Sequence, residues 1–133
     1  MNTYLITQFD LHHRLYNNVL QDFSDEETHK RLYGNTDINH VKYLAGHLLN
    51  SQYGLAMIAG IEPEVKWNEL FAVMGQSEAK DHINYPSIDE IKGEWNKMYQ
   101  PIRNGLTELN HDDLKKVPPK PFNQVADSSG ELW

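Results

Sequence analysis

One stretch, residues 39–60 (NHVKYLAGHLLNSQYGLAMIAG), narrows the choice of folds more than any other. Its apolar residues Val41, Leu44, Leu48, Leu55 and Ile58 recur at the three- and four-residue spacing of one helical face. Asn39 stands where an N-cap is wanted and Gly60 where a left-handed C-cap is wanted. The spacing predicts a helix over 39–59, about 20 residues and roughly 30 Å long, which is enough to organise a small bundle. His47 lies at the edge of the apolar stripe, with Tyr43, Leu44, Asn50 and Ser51 one turn away. The small residues Gly46, Ser51 and Gly54 would let a partner backbone or a ligand come close.

Two more long helices flank it. Over 3–23, Leu5, Phe9, His12, Tyr16, Val19 and Phe23 mark one face, which Ile6, His13 and Leu20 widen. Ser24 with Glu27 reads as a capping box opening a short helix that ends near Leu32, and Gly34-Asn35-Thr36-Asp37 as a turn. Ser87 with Glu90 reads as a second box, opening a helix over 87–108 with Ile88, Ile91, Trp95, Met98, Ile102 and Leu109 along its seam. Pro101 falls inside that helix. It removes one backbone bond, so a bend is expected near Met98.

Between the second and third long helices, Pro63 breaks the chain and Trp67–Phe71 has room for one or two helical turns. Residues 76–86 read as an exposed loop, long for a bundle connection, that packs across the outside or covers one end. Asn110 caps one more short turn, and Pro118, Pro119 and Pro121 exclude a helix over 117–122. With no strand alternation and no internal repeat, the reading is all-α: an up-down helical bundle in one domain over 1–133, irregular over 117–133. Leu5, Phe9, Tyr16, Val19, Leu44, Leu48, Leu55, Ile91, Trp95 and Met98 are the expected inward rows.

Composition removes several classes. A net charge of −7 from 12 basic and 19 acidic residues, with no Lys/Arg cluster, argues against a nucleic-acid partner. No apolar run approaches a membrane span, and MNTYLITQFD lacks the basic start and apolar core of a signal peptide. No Cys is present, which excludes disulfides, thiolate ligands and a cysteine nucleophile. These features predict a soluble, acidic, cytoplasmic protein. G-x-S-x-G, P-loop and dinucleotide-binding motifs are absent.

The candidate chemistry is histidine. His47 reads either as a metal ligand on a rigid helix or as a core-edge ring bonded to Asn50, Tyr43 or a backbone carbonyl. His12 and His13 either reach His47 from a neighbouring helix or pack amphipathically. His40 is two turns from His47, too far to share an ion directly, and His29, His82 and His111 read as surface residues. Asp25-Glu26-Glu27, Asp89-Glu90 and Asp112-Asp113 all fall in first helical turns, where negative charge meets the helix dipole. Trp67, Phe71, Trp95 and Tyr99 either line a pocket or pack the core.

The string N-x5-AGHLLNSQYGL over 39–55 resembles the second helix of the DinB-like (YfiT-like) four-helix-bundle superfamily. Residues 7–39 resemble the first helix and its connection, and residues 85–109 the third helix, so the likeness covers nearly the whole chain in order. The resemblance implies a metal-dependent enzyme, a thiol transferase or hydrolase-like protein with a small-molecule thiol or other substrate. It also implies a divalent ion, zinc or nickel, held by three histidines. His47 matches the first of these. The other two belong to an H-x-x-x-H pair on a fourth helix, and no such pair occurs before Trp133. The expectation is therefore a bundle with its fourth helix missing or incomplete, weak metal binding or none, no activity in this form, and self-association as a homodimer through the uncovered groove. The alternative is a non-catalytic helical module that binds an apolar ligand or a protein.

Overall fold

The computed structural model describes residues 2–118, 122–124 and 126–132, with the side chains of 130 and 131 left aside. The described residues contain helices and turns and no strand. None of the helices is long and apolar enough to cross a membrane. The long elements are α1 (Thr3–Leu20), α3 (Val41–Ile58), α5 (Ile88–Lys97) and α6 (Tyr99–Glu108). Short helices α2 (Asp25–Thr28), α4 (Asn68–Phe71) and α7 (His111–Lys115) lie between and after them.

Local chemistry sets most boundaries. At Ser87–Glu90 and Asn110–Asp113 both halves of the capping box form, so α5 and α7 start where their polar side chains satisfy the first free N–H groups. Ser24 accepts from the Glu27 N–H at the start of α2, which ends at Thr28 rather than near Leu32. α3 ends in a Schellman motif. Gly60 sits at φ +82°, its N–H donates to the Met57 carbonyl, and the Ile61 N–H donates to the Ala56 carbonyl. The expected break arrives at Met98, between α5 and α6: Pro101 has no N–H for the Lys97 carbonyl. α1 stops at Leu20 rather than 23, because Gln21 and Phe23 bond carbonyls three residues back. Pro118 lies outside any helix, while Pro119 and Pro121 fall outside the described residues. The region after Asn123 forms a 3-10 turn at Ser129–Leu132 that rests on α7.

α3 is the hub, packed on α4 and α5, while α1 packs on α6. Leu49, Ala56, Ile91, Ile102 and Leu106 are fully buried, with Phe71 and Tyr53 beside them. Tyr16 joins α1 to α3 and α5: its ring stacks on Trp95 at 3.9 Å and its hydroxyl donates to the Ala45 carbonyl at 2.9 Å. Asp10 on α1 accepts from both Tyr99 and Arg103 on α6. The Asn2 amide donates to the Leu106 and Leu109 carbonyls, tying the N-terminal residues to the end of α6.

The inward face of α3 is not the one that hydropathy selects. Phe9, Tyr16, Ile91, Trp95 and Met98 are buried as expected, and Leu5 and Leu55 are half-buried. Val19, Leu44 and Leu48, however, are 66 %, 46 % and 51 % exposed. α3 instead buries Tyr43, Ala45, Gly46, Leu49, Tyr53, Gly54 and Ala56. The reason is close approach. A Cβ at Gly46 would stand 2.4 Å from the Phe71 ring, and one at Gly54 2.2 Å from Phe122. The polar groups on that face find partners: Tyr53 reaches Glu94, and Asn50 bonds Asn68 and the Val73 N–H.

Because Trp95 is buried, Trp95→Ala should cost about 3–5 kcal/mol of unfolding free energy. In the monomer, Leu48→Ala should cost less than about 1 kcal/mol. Urea unfolding of the two variants compares them, and equal losses would place Leu48 in the core.

Candidate functional site

Among the described residues, a concave surface of low polarity runs between α1 and α3. Tyr16 and Leu20 turn inward from α1, and Tyr43 and Ala45 from α3, so the next residues round each helix are left facing one another across a gap. The result is a groove of about 610 Å³. Leu15 and Val19 line one wall, Leu44, Leu48 and Leu55 the other, and Trp95 borders it between them. His12, Ser51 and Gln52 are among its few polar groups, and among the described residues no Asp, Glu, Lys or Arg lines it.

His47 lies on another side of α3. It is half-buried, stacks on Tyr43 at 5.4 Å, and its Nδ1 meets the Phe71 carbonyl at 3.1 Å. A carbonyl only accepts, so Nδ1 carries the proton and Nε2 is the acceptor nitrogen. That is the tautomer of a histidine held in place by a backbone carbonyl, and also of an Nε2 ligand. Among the described residues, no three His, Asp or Glu side chains gather in a way that could hold an ion, so the residues present do not complete a metal site around His47. His13 is not brought to it. The His13 ring stacks on Tyr99 at 4.1 Å and lies over Trp95, and burial holds it below the usual histidine range against the pull of Asp10. His12 is exposed on the rim of the groove.

Of the other sequence candidates, His82 and His111 are exposed, as read. His29 is half-buried rather than a surface residue, because it stacks on His40 at 4.6 Å. His40 is buried, and it, not Asn39, caps α3: its Nδ1 accepts the Tyr43 N–H at 3.0 Å. Glu90 and Asp113 serve their capping boxes. Asp25 does more. Its Oδ1 takes both the Ile88 N–H and the Lys42 ammonium at 2.7 Å, which joins the starts of α2, α3 and α5. Phe71 and Trp95 are core residues, with Trp67 and Tyr99 packed against them.

Sequence reasoning missed Glu94. Its carboxylate is buried, accepts from the Tyr53 hydroxyl at 3.1 Å and pairs with Lys66 at 2.7 Å. Burial pushes this carboxyl up, but the hydrogen bonds from Lys66 and Tyr53 outweigh it and hold the group below its usual range. Burial and the neighbouring carboxylate push the Tyr53 hydroxyl well above the usual tyrosine value. The pair is therefore an ionised carboxylate beside a neutral phenol, an arrangement that ties α3 to α5 and exchanges no proton near neutrality. A signal existed: Glu94 falls on the Ile91–Trp95–Met98 seam, where a charge is out of place unless partnered. Beside it, a more polar cleft of about 500 Å³ is lined by Asn50, Tyr53, Asn68 and Gln76, with Phe122 at its edge.

No protein-family model matches the chain, and no curated protein or solved structure does either.

Because the Glu94 carboxyl is held below its ordinary range, its contribution to stability is complete above about pH 4.3, the unfolded value, and is lost as pH falls through the folded value. Glu94→Gln should lower stability at pH 7 by about 1–2 kcal/mol. It should also flatten the acid limb of the stability profile, measured by chemical denaturation from pH 7 to pH 3. An acid limb as steep as that of the parent chain would show that Glu94 is not linked to folding.

Proposed function

We propose that the chain is a helical protein-binding module whose working surface is the groove between α1 and α3, and that its occupant is a second copy of the chain. One observation carries this reading. Leu15, Val19, Leu44 and Leu48 stand exposed on two helices, around a groove that, among the described residues, no charged side chain lines. An apolar surface of this kind is costly to leave in water and is a mark of an interaction site. The second copy fits because both walls are helices with exposed leucine or valine one turn apart. A twofold axis sets the α1 row of one copy beside the α3 row of the other, and the reverse, as a self-complementary interface requires. The net charge of −7 opposes random association, and the uncharged groove is where that repulsion is least.

A second proposal keeps the DinB-like bundle and its metal-dependent enzyme. It is favoured by the His47 tautomer, which leaves Nε2 as the acceptor. Its two further ligands are not among the described residues, so no reaction step follows from it.

Light scattering at micromolar concentration should give a dimer for the parent chain. It should give a monomer of unchanged helicity when Leu44→Asp and Leu48→Asp are combined. A monomeric parent chain would overturn the first proposal. Calorimetric titration with zinc and with nickel addresses the second: about one equivalent per chain, lost in His47→Ala, supports it, and no heat of binding makes His47 a packing residue.

A further inference from the structure

We propose that the stacked rings of His29 and His40 are a pH-sensitive clasp, which holds the segment 72–86 against the start of α3 and releases it on acidification. The segment has little secondary structure of its own; beyond hydrogen bonds from the Val73 N–H to Asn50 and from the Tyr43 hydroxyl to the Ser77 carbonyl, it is held at residues 79–81. Both ring nitrogens of His40 are committed there. Nδ1 accepts the Tyr43 N–H at 3.0 Å, so Nε2 carries the proton and donates to the Lys80 carbonyl at 3.2 Å. His29 lies over it at 4.6 Å, and its Nε2 meets the next carbonyl, Asp81, at 3.2 Å. Tyr85 sets its ring edge-on to both histidines, and its hydroxyl accepts the Lys80 N–H at 2.9 Å. Arg31 completes the hold on the Asp81 carboxylate and the Ala79 carbonyl.

A second proton on His40 would break this arrangement in three ways. It would fill the lone pair that caps α3. It would set a cation at the positive end of that helix's dipole. It would charge a ring that is 1 % exposed and in contact with a second imidazole.

The surrounding charges do not compensate. The segment carries two acids: Glu78 is exposed, and the Asp81 carboxylate is bonded to Arg31. Asp25, which acts on His29, is bonded to Lys42. Arg31 and His29 both oppose positive charge on His40, Lys80 contributes its backbone, and His82 acts on Asp81 from the same segment. Tyr43 and Tyr85 are the remaining titratable groups in ring contact, and burial pushes the Tyr85 hydroxyl above its usual value, so it stays neutral. Burial accordingly holds His40 below the usual histidine range, against the hydrogen bond to Lys80.

The sign follows from that direction. The unfolded or released His40 binds its proton more readily than the clasped one. The clasp is at full strength above about pH 6.5, the free value, and weakens as pH falls through the clasped value. Between the free and the clasped value, one-proton linkage raises the opening constant by at most about tenfold per pH unit, and below the clasped value it levels off. Release draws Tyr85 off Phe71, on which it stacks at 5.7 Å, and so uncovers the Tyr43–Phe71 ring pair beside His47.

Hydrogen exchange of the whole chain at pH 7.5 and pH 5.5, corrected for intrinsic rates, tests the clasp. Protection at residues 77–85 and at the Tyr43 amide should fall by up to about tenfold at the lower pH, with the amides of α6 still protected. His40→Asn, which keeps a good cap but has no titrating ring, should abolish that difference. Equal protection at the two pH values would overturn the proposal. So would simultaneous loss in α6, or an unchanged pH dependence in His40→Asn. Should that variant fail to fold, an NMR titration of the parent chain replaces it. The His40 ring and the 77–85 amides should then share one midpoint below that of free histidine, and separate midpoints would refute the clasp.

Discussion

The seat of α3 against Phe71 is the contact on which the rest of the structure depends. Gly46 lets the aromatic ring lie on the helix backbone, where a methyl group would collide with it at 2.4 Å. With Phe71 in place, α4 lies along α3 and the Phe71 carbonyl meets His47. Tyr43, Leu49 and Tyr53 then turn toward the core. Leu44 and Leu48 are on the far side of the same helix and have to face out. One small residue thus selects the inward face of α3 and, with it, the existence of a groove toward α1. Dispersion contacts across a close-packed backbone outweigh the transfer of two leucines, because interiors gain from density as well as from removing apolar area from water.

Buried polar groups then fix how the helices are registered. Lys42, Glu94 and His40 are all buried, and each is held by partners from another element. Charged or half-satisfied groups at such positions tolerate little displacement, since an unpaired charge away from water is far costlier than a shifted apolar contact. Asp25 gathers the starts of three helices through one oxygen. Glu94 joins α3, α5 and the segment carrying Lys66. The apolar core by itself would allow sliding, and these nodes remove that freedom.

Two features of different chemistry meet at α3. The groove between α1 and α3 is apolar and uncharged, and the histidine clasp at the start of α3 is polar and titratable. They share α3, whose core side packs against α4 and α5. A change in pH therefore bears on the N-terminus and the Phe71 side of a helix that also forms one wall of the groove.

The sequence by itself determined the helical class, the extents of the long helices to within a few residues, the caps at Ser87 and Asn110, the stop at Gly60 and the break at Met98. These rest on local physics: a side chain bonding an N–H three residues on, a glycine at positive φ, a proline without a donor. It did not determine which face of α3 is buried. Hydropathy chose Leu44 and Leu48, and the tertiary structure chose Gly46, Leu49 and Tyr53, because the choice belonged to Phe71, Glu94 and Asn68, all remote in the chain. The same holds for His40, read as a bystander next to an asparagine cap. It became the cap only because Lys80 and His29 were there to hold its ring. Burial of a polar group depends on its partners, and only folding brings those partners to it.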